Sequence, residues 1–414
     1  MEEFSIERKN NFVIYIPLLL TILIDALGVG IVYPVFATVF STSAGGVLVH
    51  GFSETTANLL YGITVAAFPV AMLIGAPILG DLSDHVGRKK VLLICLFGEA
   101  VGMFFSACGL ELNSILLLII ARAFTGLLAG SMGLAQASIV DISTPEKKTI
   151  NLSLISLAAS LGFTLGPLIG GELASLKMIQ GLGYSGPFIF AGILAFLNGL
   201  LLAKLFTETS NSFNTSKINV LKGIFLLIDA FKDKRFRYVS LVLLFVQLSW
   251  SMYFQTTSLS LVQVFHYSIS DLGHFISYLS LIYAFALLVL IRIAVRLFHN
   301  ERILKFSITL LLIGYIISSL MILSLEWSAV PFIAIGVGLA YMVILTMYSN
   351  LADAKSQGWA MGAAASITAA GWGLGSIIAG FTSSFSFPLT YVVASMFILL
   401  SLIISLKKLL KVQA

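Results

Sequence analysis

Charge is what this chain has least of. Only 10% of its 414 residues are Asp, Glu, Lys or Arg, against 58% hydrophobic ones, and its mean hydropathy is +1.02. A soluble fold of this size cannot hide so much apolar surface, so lipid must be the solvent for most of it. Cysteine is scarcer still: Cys95 and Cys108 are the only two. On one helix they would lie about 20 Å apart along its axis, too far to bridge. No disulfide framework, metal centre or redox centre follows from them, and no cofactor is expected. A glycine-rich phosphate-binding loop is also missing, which disfavours ATP-driven transport. No catalytic constellation supports an enzyme, and no long soluble domain is present.

What is there is apolar length. A spanning helix needs about 20 apolar residues, and twelve such windows recur: 12–38, 56–79, 91–109, 114–140, 149–173, 187–206, 238–262, 272–294, 304–323, 330–349, 359–381 and 387–406. The expected fold is therefore an all-α integral membrane protein with twelve transmembrane helices. The first window is too long for a secretory leader and has no small-residue cleavage site, so it is expected to stay as a span. With the N-terminus inside, all 24 Lys and Arg residues but two fall on the cytoplasmic side; Lys177 falls outside and Arg122 within a span. That asymmetry predicts cytoplasmic termini. It also makes the net charge of +5 a topology signal, with no nucleic acid partner implied.

The longest polar break runs from Thr207 to Arg237. It divides the chain into a six-helix half (1–206), a cytoplasmic linker (207–237) and a second six-helix half (238–414). Within the linker, Ile218–Phe231 is apolar with Lys222 and Asp229 interspersed. It reads as a helix lying in the membrane interface, or as a plain solvated connection. The halves repeat: Gly162-Phe-Thr-Leu-Gly166-Pro167-Leu-Ile-Gly170-Gly171 aligns with Gly371-Trp-Gly-Leu-Gly375-Ser-Ile-Ile-Ala379-Gly380.

One of the few charged clusters is Gly80-Asp81-Leu82-Ser83-Asp84-His85-Val86-Gly87-Arg88-Lys89-Lys90, between the second and third windows. It resembles the G-x-L-x-D-x-x-G-R-K signature of the major facilitator superfamily. The run around Gly162, Gly166, Pro167, Gly170 and Gly171 resembles that superfamily's antiporter motif, and Arg122-Ala-Phe-Thr-Gly126 its R-x-x-x-G motif. Span one, Asp25-Ala-Leu-Gly28-Val-Gly30-Ile-Val-Tyr33-Pro34, is similar to the first helix of twelve-helix drug–proton antiporters, notably tetracycline exporters. The resemblance implies two pseudo-symmetric halves with the substrate site between them. It also implies that Gly80, Asp84, Gly87, Arg88 and Asp141 latch the halves when the cavity opens outward. There Gly80 and Gly87 would allow tight turns, Asp84 would face the start of span eleven, and Arg88 would reach Asp141. A generic positive-inside turn is the plainer reading of the basic residues.

Charges in the membrane interior cost roughly 2.5–3.5 kcal/mol each, so they are usually paired or functional. Depth counting puts Asp25 and Arg122 at matching levels, as a proton-coupling pair or a purely structural ion pair. Glu99, on a third helix expected to be peripheral, is a pairing residue or a second proton group. His274 reads as an interfacial residue. Spans seven to twelve show no acid in their middles. Gln247, Trp250, Ser251 and Phe254, with Tyr341, Tyr348 and Trp372, could instead wall a cavity for a flat, apolar ligand, or pack against neighbours. Along span five, glycines at four-residue intervals allow close packing, expected against span eight of the other half. The expected function is proton-driven efflux of a lipophilic, drug-like small molecule by a monomer in a bacterial inner membrane. Export of an endogenous metabolite or siderophore is the first alternative, and a transport-inactive receptor or assembly factor the second.

Overall fold

The computed structural model describes residues 2–43, 45–144, 147–175, 183–209, 219–353 and 356–412. Lys177, Lys217 and Lys355, used above to orient the chain, lie outside them. Helices dominate because in lipid every backbone N–H and C=O must be satisfied within its own segment. Twelve helices are long and apolar enough to cross a membrane: Ile14–Val39, Glu54–Val86, Arg88–Glu111, Ile115–Asp141, Ile150–Ser175, Gly183–Leu205, Arg237–Gln263, Ile269–Leu297, Asn300–Ser319, Leu323–Leu351, Gln357–Ser383 and Phe387–Leu406. They are spans one to twelve below, and the protein is an integral, multi-pass membrane protein.

Most spans outrun their apolar windows, because polar first and last turns continue the helix. Span two begins at a proper cap, with Ser53 Oγ accepting from the Thr56 N–H at 3.2 Å. Span ten starts at Leu323, ahead of its window at 330, and so carries Glu326 within the helix. Span four is two helices, Ile115–Leu127 and Ser131–Asp141, separated by a short turn at 128–130. A Gly-Ser pair is a recognised cause of such a break, and Gly130-Ser131 occupies it here.

Between spans six and seven lies one further helix, Lys222–Lys232. It packs where spans two and eleven meet. A Cβ on Gly223 would press on the Leu73 carbonyl and Pro77 of span two, and one on Gly362 of span eleven would touch Leu226. Lys222 pairs with Asp81. The helix thus bridges the two halves of the chain rather than hanging free.

The halves meet along two seams, span two against eleven and span five against eight. The end of the bundle carrying Arg88, Lys89 and Lys90 is called the basic end here, and its opposite the far end. Polar contacts across the seams lie mostly at the far end, with Ser277 donating to the Thr164 carbonyl (2.8 Å) in mid-span and Arg292 reaching Ser153 (3.3 Å) at the basic end. Asn58 Nδ2 donates to the Ser383 carbonyl (3.2 Å), Gln263 Nε2 to Asn58 Oδ1 (2.9 Å), and Ser43 Oγ to the Gln263 carbonyl (3.3 Å). Glu172 meets Ser270 and lies 3.6 Å from His274 Nε2.

Candidate functional site

The break in span four builds the first element of the site. It exposes the N-terminal end of Ser131–Asp141 in the membrane interior, where unpaired N–H groups attract an anion. Asp25, midway along span one, fills that position. Ser131 Oγ donates to Asp25 Oδ2 at 2.5 Å, and the Met132 backbone N–H also donates to this carboxyl. Glu99 of span three, 9% exposed, faces the same group within hydrogen-bonding reach. Asp25 Oδ1 and Glu99 Oε2 have no donor. Two carboxyl groups this close are able to share one proton between them.

This corrects the expected pairing of Asp25 with Arg122. No ion pair joins them among the described residues. Depth counting treated span four as one straight helix and ignored which way each side chain points. Arg122, 4% exposed, projects toward the outer turns of span one and toward span two. Its guanidinium lies 4.6 Å from the Phe68 ring centroid and 5.9 Å from that of Phe36. Its Nε has no partner, and its electrostatic neighbours are Tyr33 and Glu99. Glu99, expected as a pairing residue or a second proton group, lies beside Asp25 and is also an electrostatic neighbour of Arg122.

A second group of buried side chains is an aromatic centre. The Tyr33 ring of span one packs edge-on to Phe254 of span seven at 4.5 Å. Trp250 contacts Phe254 (5.5 Å), Tyr283 (6.3 Å) and Trp372 (6.3 Å). Gln247 donates to Thr368 at 3.4 Å, and Ser251 to the Trp372 carbonyl at 2.9 Å. Tyr341 is half-buried and lies against Tyr283 and Thr368. The expected cavity residues therefore gather around Trp250, joined by Tyr33 and Tyr283, which periodicity alone did not single out. Tyr348 does not join them; it is fully buried and bonds Ser240 at 2.5 Å.

The small-residue run of span five has two faces. Cβ atoms on Gly162, Gly166 and Gly170 would lie 2.3, 2.6 and 2.9 Å from backbone atoms of Leu23, Leu27 and Ile31, all in span one. The expected contact of this face with span eight is thus corrected: it packs within its own half. Gly171, about 100° round the helix, supplies the contact between halves, where a Cβ would fall 2.7 Å from the Ile269 carbonyl and 3.2 Å from Gly273. Span eleven repeats the arrangement. Gly371 and Gly375 press on Gln247, Leu248 and Ser251 of span seven, while Gly380 meets Asn58 and Gly62 of span two.

In the signature loop, Gly87 has φ +102°, a conformation open to glycine, and its missing side chain makes room for Glu208. Glu208, just after span six, accepts the N–H groups of Arg88 (2.8 Å) and Lys89 (3.1 Å) and so caps span three. Arg88 Nε reaches Asp141 at 3.2 Å, and its Nη1 lies 3.5 Å from Asp84. The expected turn at Gly80 is not found. Gly80 sits inside a continuous helix, and a Cβ there would meet no atom within 4 Å. The Asp84 side chain is 53% exposed, and among the described residues no hydrogen bond or ion pair ties it to span eleven.

Twelve spans in two packed sets, with buried charge and an aromatic centre between them, define a multi-pass membrane transporter. A family model described as Major Facilitator Superfamily matches residues 18–376, and the chain belongs to that family. It is 30% identical over 199 residues to the class H tetracycline resistance protein of Pasteurella multocida, covering 48% of this chain and 45% of the relative. It is 32% identical over 199 residues to the quinolone resistance protein NorA of Staphylococcus aureus, covering 47% and 45%. The matched stretch thus spans less than half the length of these relatives. Among solved structures, the fold is similar to a bacterial homolog of the human lysosomal transporter Spinster (TM-score 0.75, 16% identity, 96% of each chain). It is also similar to the human organic anion transporter MFSD10 (0.71, 20% identity, 95% of this chain and 99% of that one).

Proposed function

We propose that this protein is a proton-driven exporter of a lipophilic small molecule, working by alternating access. The observation that carries this reading is the Asp25–Glu99 carboxyl pair at the interrupted middle of span four, with Arg122 beyond it. A buried acid pair binds a proton as a unit. Hydration of the site as the bundle opens changes how firmly it holds that proton. Ligand and proton can then be bound in alternation, the ligand against the aromatic centre of Trp250, Trp372, Phe254 and Tyr33.

The basic end is read as cytoplasmic, which sets both termini there in a bacterial inner membrane and makes the far end the outer gate. Far-end contacts are made, whereas at the basic end Asp84 is half-exposed and a Cβ on Gly80 or Gly358 would meet no atom within 4 Å. The conformation is accordingly read as closed outward. Opening outward would bring span eleven onto span two there, giving Asp84 its helix N-terminus and the signature its latching role. The chain is taken to work as a monomer of two six-span halves joined by the helix Lys222–Lys232. The names of the drug-resistance relatives support a drug-like substrate.

Purified protein in liposomes with an imposed pH gradient tests the reading, with tetracycline, a quinolone and a lipophilic cationic dye as probes. Gradient-dependent movement of any one, with counterflow of protons, is expected. Facilitated movement that ignores the gradient, or proton-tight vesicles that move none of the three, would overturn it.

A further inference from the structure

Near the far end of the second half lies a buried acid that sequence reading passed over. Glu326 is in the first turn of span ten, a place where a carboxylate would ordinarily reach water, yet it is 0% exposed. Neither of its oxygens makes a well-aligned hydrogen bond, although the hydroxyls of Ser318 and Tyr391 lie within reach. Its surroundings come from three other spans: Tyr253 of span seven, Tyr315 and Ser318 of span nine, and Tyr391 of span twelve. The tyrosine rings form one cage, Tyr253 stacked on Tyr315 at 5.5 Å and tilted against Tyr391 at 6.0 Å. The hydroxyls of Tyr253 and Tyr315 make no well-aligned bond and have Thr257 and Ser249, respectively, in reach, while that of Tyr391 is engaged with Thr257 at 2.9 Å. No Lys, Arg or His is among these neighbours.

A charged carboxylate in that cage would be stranded, since burial without a cation or a full set of donors costs several kcal/mol. The cage fits the neutral acid, whose O–H can donate to any of the nearby hydroxyl oxygens. It is also wired to the seam between the halves. Next to Tyr391, Thr390 bonds Ser383 at 3.1 Å. The carbonyl of Ser383 holds Asn58 of span two, and Asn58 holds Gln263 of span seven. Span seven thus contributes Tyr253 to the cage and Thr256, bonded to Ser383 at 3.3 Å, to the seam.

We propose that Glu326 is a second proton-binding site, separate from the Asp25–Glu99 pair, and that its protonation is the condition for closing the far end. Proton uptake at Glu326 neutralises the carboxylate and lets spans seven, nine, ten and twelve close around it. Loss of that proton requires the cage to open and hydrate. This rests on the reading of the far end as the outer gate, and it gives that gate a rule: the carrier shuts outward only after taking a proton from outside. The site takes a proton alone, with no ligand.

The experiment measures far-end opening without any transported substrate, so it stands apart from the export reading. Paired spin labels across the far end, on spans two and eleven, report the open fraction in liposomes. For wild type the open-to-closed ratio should rise by about tenfold or more between about pH 5 and about pH 9. Glu326→Gln, which has the shape of the neutral acid, should hold the gate closed throughout. The double variant Asp25→Asn/Glu99→Gln should keep a pH-dependent gate. A wild-type curve in Glu326→Gln would overturn the proposal, and so would a flat curve in wild type or in the double variant. If the double variant leaves gradient-driven transport intact while Glu326→Gln flattens the gate, the coupling pair is misassigned and the lock stands. Labelling of the wild type by a hydrophobic carbodiimide, which adds to protonated carboxyl groups, gives a check that needs no variant. Glu326 should be modified faster at acid pH than at alkaline pH, and equal labelling at both would count against an exchanging proton.

Discussion

The two halves share a skeleton and differ in chemistry. Spans five and eleven use glycines in the same two ways, one face against the first span of their own half and one against the other half. Yet the first half holds the charges in its interior, Asp25, Glu99 and Arg122. The second offers Gln247, Ser251, Trp250 and Trp372 at the corresponding place and keeps Glu326 near the far end. Close backbone packing tolerates no side chain at those glycines, whereas the interior side chains were free to diverge. On the proposed function, the duplicated frame carries the Asp25–Glu99 pair in one half and most of the aromatic wall in the other, with Glu326 as a separate proton group near the far end.

The sharpest way to break that division is at its charged centre. Asp25→Asn should reduce gradient-driven transport to about the passive leak, because a group that cannot ionise gives the gradient nothing to act on. Ligand binding, read by quenching of tryptophan fluorescence, should persist. Glu99→Gln should be milder, moving the pH midpoint of transport by about one unit, or tenfold in proton activity. Equal losses from Gln247→Ala would erase the distinction between the halves.

The shared frame is tested next. A Cβ on Gly171 or Gly380 falls 2.7 or 2.8 Å from a carbonyl oxygen across the seam. Valine at either should cost the closed far end about 1–3 kcal/mol of overpacking. The two variants should shift far-end spin-label distances alike. Gly166→Val and Gly375→Val, which press on their own halves, should instead lower the thermal midpoint and leave those distances in place. Unequal behaviour of Gly171→Val and Gly380→Val would show that the seams are not equivalent.

Smaller effects belong to the ligand wall and the loop. Trp250→Ala or Trp372→Ala should weaken binding of a flat ligand by about tenfold, in keeping with about 0.5–1.5 kcal/mol per aromatic pair beyond buried area. Binding should be measured at equilibrium, since changed transport with unchanged affinity would remove both from the wall. Arg88→Ala should shift the open-state balance by no more than about fivefold, because its partners are partly exposed and such pairs are worth about 0.2–1 kcal/mol.

Much of this architecture was legible because lipid imposes length and apolarity on every span, and the glycine repeat carries its own period. The partner of Asp25 was not. Counting residues gives depth along a helix, but direction depends on rotation and on the break at 128–130, which no proline announces. The adjacent Gly130 and Ser131 are the signal that could have revealed it. Glu326 was missed for a related reason: its charge lowers local hydropathy, so the window began after it and left it in a loop. Glu208 could not be read at all, since its contact with span three joins residues 120 positions apart.

The seams have one more consequence, in the chain's ancestry. Span five meets span eight, and span eleven meets span two, so the second span of each half faces the fifth span of the other. That is the pattern of an isologous two-fold interface. A single six-span ancestor could have paired with its own copy through this one surface before the genes were fused. In such a pair every substitution is felt twice. In a single chain the two copies are free to differ, so one half can carry Asp25 and Glu99 where the other carries an amide and indoles.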